Sequence, residues 1–263
     1  MPSGPRPAKR LLAFAALIVL LLAMGLAACH LGQRKLVYYP GFTRGDAIAA
    51  DFTLQRPDGA VLRGWADRPD RPRALIYFGG NAETLQAARR QLAASCGGWA
   101  AYFVPYRGYG GSDGSPSAAA ILPDALALYD EVARSHPGQP VAVIGRSLGS
   151  GVAAYVTAHR PVSRLVLVTP FDSLGEVAKH HYPWLPIDLI MRERYDSARW
   201  LRGRDLPAVL VIRASEDAVV PAARTDALLR ALPASTRVVD VDGDHGSLSQ
   251  HPAYEAALAD FLR

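Results

Sequence analysis

The nine residues Val141-Ala142-Val143-Ile144-Gly145-Arg146-Ser147-Leu148-Gly149 are the stretch best suited to chemistry. An apolar, strand-like run leads into Gly-x-Ser-x-Gly, and small residues suited to a helix follow. A serine in that setting sits on a sharp strand-to-helix turn that lifts its hydroxyl clear of a sheet. The turn crowds its neighbours, so Gly145 and Gly149 must lack side chains. The helix start beneath Ser147 adds positive potential where an oxyanion would develop. The chemistry in view is nucleophilic attack on a carbonyl carbon. A serine hydroxyl is a weak nucleophile at neutral pH and needs an adjacent base, itself oriented by a carboxylate. The plain alternative is an inert serine in a glycine-rich loop. The apolar strand before the motif and the small-residue helix after it both favour the nucleophile.

The elements that must position such groups are visible as short apolar runs without alternation: Ala74–Phe78, Ala100–Val104, Val141–Gly145, Leu165–Thr169, Ala208–Arg213 and Val238–Val241. Uniformly apolar runs of this length suit strands buried on both faces, as in a parallel sheet. Helical patterns lie between them, over Ala82–Ala94, Ala118–Arg134, Ser150–His159, Ala222–Ala231 and Pro252–Leu262. Ahead of these, Asp51–Gln55 and Val61–Ala66 flank Pro57-Asp58-Gly59 and read as a hairpin. Leu36–Pro40 reads as a short extended segment. The alternation predicts an α/β fold, a mostly parallel, doubly wound sheet with an antiparallel hairpin in front. Ligands on such sheets bind beyond the carboxyl ends of the strands, so the polar residues just after each run matter most. The stretch from Leu174 to Asp205 breaks the rhythm with His180, His181, Tyr182, Pro183, Trp184, Pro186 and Trp200. It reads as a small cap over the site, or equally as a surface helix pair.

The ordered set of motifs resembles the α/β-hydrolase superfamily, in the branch that holds serine-aminopeptidase-like domains and small membrane-associated acyl hydrolases. The resemblance runs from about Leu36 to the C-terminus. It is carried by Phe78-Gly79-Gly80-Asn81-Ala82, Tyr106-Arg107-Gly108-Tyr109-Gly110-Gly111-Ser112-Asp113-Gly114, Gly145–Gly149, Pro170-Phe171-Asp172-Ser173, Glu216-Asp217-Ala218-Val219-Val220-Pro221 and Gly243-Asp244-His245. In that fold the chain order is serine, then acid, then histidine. Among seven histidines, His245 follows the Val238–Val241 run and is the implied base, with His180, His181 and His251 as competitors. Asp217 matches the branch's acid, with Glu216 beside it and Asp172, after an earlier strand, as its rival. The resemblance implies oxyanion donors from the backbone of Leu148 and of Asn81, with Gly80 as the alternative. Relatives usually carry His-Gly-Asn-Ala where this chain has Gly79-Gly80-Asn81-Ala82, and commonly Asp at the position of Pro105. The implied activity is hydrolysis of an ester or thioester through a Ser-His-Asp acyl-enzyme. An aminopeptidase is the enzymatic alternative, and it would need an acid such as Glu176 or Asp188 at the mouth. A non-catalytic tethered binding protein is the other.

Composition bounds the remaining classes. The chain has 263 residues, half of them apolar and a fifth charged, enough for a core without metal or disulfide help. Of the net charge of +5, Arg6, Lys9 and Arg10 supply three units. The rest is near balance and has no basic block interleaved with aromatics, which argues against nucleic acid as a partner. There is no His-Glu-x-x-His, Walker loop or cysteine cluster, so neither metal nor organic cofactor is expected. Lys9-Arg10 precedes an uncharged apolar run, Leu11 to Ala28, ending Leu26-Ala27-Ala28-Cys29. This resembles a bacterial lipobox, with Cys29 as the lipidated residue, and residues 1–28 then form a signal sequence. A signal anchor is the alternative. Either reading places one α/β domain, residues 29–263, outside the cytoplasm on a membrane, where small-molecule or lipid-like acyl substrates are expected. A disulfide between Cys29 and Cys96 is a lesser option.

Overall fold

The computed structural model describes residues 7–47 and 50–263. The chain begins with helix α1 (Pro7–Val37), a 3-10 turn (Pro40–Ala47) and strands β1 (Phe52–Gln55), β2 (Val61–Asp67) and β3 (Ala74–Phe78). There follow α2 (Leu85–Leu92), β4 (Ala100–Phe103), α3 (Ala118–Ser135), β5 (Val141–Arg146), α4 (Leu148–His159) and β6 (Arg164–Val168). Three short helices come next: α5 (Leu174–His181), α6 (Ile187–Ile190) and α7 (Ser197–Leu201). The chain closes with β7 (Ala208–Ala214), α8 (Ala222–Leu229), β8 (Arg237–Val241) and α9 (Pro252–Leu262).

The strands form one sheet in the order β1-β2-β4-β3-β5-β6-β7-β8. β1 and β2 make the expected hairpin, with Phe52 opposite Gly64, and β2 also runs antiparallel to β4. From β4 to β8 every pairing is parallel, with Leu75 opposite Ala142 and Ile144 opposite Val166. Successive side chains on a strand leave by opposite faces, and from β4 through β3, β5 and β6 to β7 both faces are covered. β8, at the sheet edge, buries only Val241, so the Val238–Val241 run is not the doubly buried strand expected of it. Leu75 and Tyr77 pack with Leu85, Leu92 and Leu258 of α2 and α9, while Ile76 and Phe78 pack with Val132, Val152 and Val156 of α3 and α4. Each such aliphatic side chain contributes about 1.5–3 kcal/mol on burial. An alternating polar residue would break one of the two cores, which explains the unbroken apolar runs.

Two local expectations are corrected. Leu36–Pro40 is not extended: α1 continues through Val37, and Tyr38 N still donates to the carbonyl of Arg34 at 2.8 Å. Pro40 lacks the N–H to carry a helix on and disfavours helical angles at the residue before it. A five-residue apolar run has no period that distinguishes a strand from a helix end. The helix expected from Ala82 starts at Leu85, because Glu83 turns inward to accept from Gly80 N at 2.7 Å and from Tyr77 Oη at 2.9 Å. Cys29 and Cys96 are both free, so no disulfide joins them; burial pushes the Cys96 thiol up to about 12.

α1 is long and apolar enough to cross a membrane, and its apolar window has mean hydropathy 2.8 with no part of it buried. Its C-terminal end is fastened to the last residue of α6 and the chain that follows. Gln33 Nε2 donates to the carbonyl of Ile190 at 2.9 Å, and Gln33 Oε1 accepts from Arg192 N at 2.6 Å. Arg34 pairs with the buried Glu193 at 3.1 Å, and Tyr38 Oη donates to the same carboxylate at 2.6 Å.

Candidate active site

The turn between β5 and α4 has the conformation its motif requires. Ser147 adopts φ 51° and ψ −118°, a region an L-residue enters only when its surroundings impose it. Its N–H donates to the carbonyl of Val168 at 2.9 Å. A Cβ on Gly149 would lie 2.0 Å from the Phe78 carbonyl oxygen, and one on Gly145 would lie 2.2 Å from the Gly149 oxygen. Both glycines are therefore needed for β3, β5 and α4 to meet at this point. Leu148 opens α4, so its N–H is among the amides without an intrahelical acceptor.

Two loops at the carboxyl ends of β7 and β8 complete the arrangement. His245 Nε2 lies 2.8 Å from Ser147 Oγ, and His245 Nδ1 lies 2.8 Å from Asp217 Oδ2. The other carboxylate oxygen of Asp217 accepts from Val219 N at 2.9 Å and Val220 N at 2.7 Å, which fixes its orientation. Ser147, Asp217 and His245 thus converge although 28 to 98 residues separate them.

The competing groups have other partners. Asp172 faces Arg224 at 3.3 Å, and its burial raises its carboxyl. Glu216 is exposed on the β7 loop. His181 Nε2 contacts the carbonyl of Val219 at 2.9 Å, His180 stacks edge-on against His181, and His251 Nδ1 accepts from Ala253 N as the cap of α9.

Arg146 and Glu83 join the site although neither stands out in the sequence. The guanidinium of Arg146 donates to Glu83 Oε1 at 2.9 Å and to the carbonyls of His245 and Gly246 at 3.0 and 3.2 Å. Each side chain of this ion pair is 13% exposed. Glu83 in turn binds Gly80 N, so one chain of bonds runs from the turn after β3 to the loop bearing His245. Only the motif position "x" marks Arg146 in the sequence, and nothing local marks Glu83.

The turn Gly79-Gly80-Asn81 is braced by two tyrosines. Tyr106 Oη donates to the Gly79 carbonyl at 2.8 Å, and Tyr109 Oη donates to Asn81 Oδ1 at 2.6 Å. Asn81 Nδ2 donates to the carbonyl of Val37, which ties the turn to α1. The amide of Gly80 is engaged by Glu83, and a Cβ placed on Gly80 would stand 3.7 Å from that of Ser147. The glycine-rich loop after β4 therefore has a structural task.

A cavity of about 480 Å³ opens beside Ser147 and Leu148. Phe171, Leu174, Val177, Ile187 and Met191 line one side, and Cys29, Gln33, Leu36 and Val37 of α1 line another. No Asp, Glu, Lys or Arg is among the described lining residues. Glu176 and Asp188 both pair with Lys179, at 2.8 and 2.9 Å. Among the described residues no cluster of side chains could hold a metal ion.

The model of the family "Serine aminopeptidase, S33" matches residues 74–187, and that of "TAP-like protein" matches 192–263. An uncharacterized protein of Mycobacterium tuberculosis is 32% identical over 223 residues, 80% of this chain and 79% of that one. The chain belongs to the α/β-hydrolase superfamily of hydrolases. The lysophosphatidylserine lipase ABHD12 of Danio rerio is 32% identical over 168 residues, 56% of this chain and 44% of that protein, so the chain spans less than half its length. A Pyrococcus furiosus esterase superposes with TM-score 0.65 at 15% identity, over 80% of this chain and 89% of its own, which is a likeness of fold.

Proposed function

We propose that this hydrolase cleaves an ester or thioester through an acyl-enzyme on Ser147, while tethered to the outer face of a membrane by its N-terminus. The observation that carries the reading is the unbroken contact from Asp217 to His245 to Ser147, at 2.8 Å in each step. The Ser147 hydroxyl donates to His245 Nε2, and His245 Nδ1–H donates to Asp217, which holds the imidazole in the tautomer a base requires. As the Ser147 oxygen bonds to the carbonyl carbon, His245 takes the hydroxyl proton. The resulting oxyanion accepts from the amides of Leu148 and Asn81; Gly80 is less suited because its N–H already donates to Glu83. The bond to the alcohol or thiol then breaks, and the leaving group takes the proton from His245. Water attacks the acyl-enzyme by the same steps in reverse, His245 taking its proton and returning one to Ser147.

The lining of the cavity supports an apolar acyl group. An aminopeptidase needs a free carboxylate for the substrate ammonium, and Glu176 and Asp188 are already paired with Lys179 outside that lining. The short helices over 174–205 act as a cap that closes the cavity above Ser147. The lipase and esterase relatives favour small or lipid-like acyl substrates. Residues 1–28 serve as a signal sequence and Cys29 as the lipidated residue, or else α1 remains as a spanning anchor; mature protein beginning at an acylated Cys29, by intact mass, supports the first. Hydrolysis of p-nitrophenyl esters, lost at least about a thousandfold in Ser147→Ala, tests the enzyme reading. Full activity in that variant would overturn it.

A further inference from the structure

We infer that the end of α1 after Ala28 is a wall of the acyl-binding site, and that the cavity draws long-chain acyl esters sideways from the bilayer to which the chain is tethered. The inference deepens the reading of Ser147 as an acyl-transfer nucleophile and rests on it.

Cys29, Gln33, Leu36 and Val37 of α1 line the same cavity as Ser147. The helix is fastened there by polar bonds on both sides of that wall. On one side His30 Nδ1 lies 2.8 Å from the carbonyl of Ile190, and Gln33 reaches that carbonyl and the amide of Arg192. On the other, Asn81 of the turn after β3 donates to the carbonyl of Val37. Between them Glu193, only 2% exposed, gathers Arg34, the hydroxyl of Tyr38 and the amide of Ala118. A buried carboxylate with three partners is costly to undo, so this end of α1 is part of the domain.

Both forms of the tether place residue 29 at the membrane surface. A spanning helix whose apolar run ends at Ala28 leaves the hydrocarbon there, and a lipidated Cys29 carries its acyl chains into the leaflet. Val37 lies eight helical rises further on, about 12 Å. The α1 side of the cavity therefore begins where the bilayer ends. Large apolar side chains of the lining, Leu36 and Trp184, are exposed, and so is Leu189, 81% exposed and next in the chain to the lining residue Ile190 that α1 grips. Tyr182, also of the lining, is exposed beside Trp184. Apolar side chains left in water on a rim suit a surface that meets lipid, and Trp and Tyr favour the headgroup level. The described lining holds no Asp, Glu, Lys or Arg, and its one histidine, His181, is engaged by the carbonyl of Val219, which suits an acyl chain inside and leaves an ionic headgroup outside.

The test uses the full chain in phosphatidylcholine vesicles, comparing p-nitrophenyl palmitate dissolved in the vesicles with p-nitrophenyl acetate in solution. Val37→Trp should lower the palmitate-to-acetate rate ratio at least tenfold, because the indole fills the α1 side of the cavity. Leu189→Asp should lower the same ratio through the rim without entering the cavity. Fluorophosphonate labelling of Ser147 checks that each variant keeps its site. If both variants retain labelling and the ratio is unchanged, α1 is no wall and the lateral route fails. If the unaltered chain cleaves neither ester, the acyl-transfer reading itself fails and the inference with it.

Discussion

His245 meets Asp217 and Ser147 through its ring, and its backbone carbonyl meets Arg146 at 3.0 Å. Arg146→Met would free the loop bearing His245 and leave the largely buried Glu83 carboxylate without its counter-charge. Breaking one side of such a pair costs about 3–5 kcal/mol when it is fully buried, so a lower thermal midpoint accompanies the change. The more telling outcome is kinetic. Loss of positioning should lower kcat on the order of ten- to a hundredfold with KM nearly constant, and Arg146→Lys should recover part of it. A rise in KM with kcat unchanged, by steady-state kinetics on a short ester, would assign Arg146 to binding instead. Ser147, Asp217 and His245 were legible because each follows an apolar run at a strand end, where this fold collects its polar groups. The Arg146–Glu83 pair spans 63 residues and belongs to no spacing rule. Only the folded chain places the two side by side.

At the scale of elements, the junction of β3, β5 and α4 is the most constrained place in the sheet. Gly149→Ala would force a methyl to within 2.0 Å of the Phe78 carbonyl oxygen. Overpacking of this kind costs about 1–3 kcal/mol where neighbours can move, and here the neighbour is backbone. The expected outcome is a thermal midpoint lower by several degrees and weaker turnover, since the strained turn holds Ser147. A midpoint unchanged by calorimetry would show that the junction relaxes freely. The central strands with both faces buried were readable from their unbroken apolar runs, and β3 begins and ends where its run does, whereas the run at β8 became an exposed edge. The end of α1 was not, because the run from Leu36 to Tyr39 suits a strand or a helix, and the long-range partners of Tyr38 decide it.

For the whole molecule, superfamily membership rested on the order of several motifs along the chain, each weak when taken singly. The brace of the turn after β3 was hidden, because Tyr106 and Tyr109 act from the next strand's loop. The α1 wall of the cavity was hidden too, since α1 lies far in sequence from α5 and α6, which form the rest of it. The account turns on one reactive hydroxyl. Treating the full-length protein with a fluorophosphonate and mapping the adduct by peptide mass spectrometry tests it most directly. The expected result is a single phosphonylated residue, Ser147, absent from heat-denatured protein and strongly reduced in His245→Ala. A folded protein that takes up no label, or takes it up elsewhere, would contradict the account.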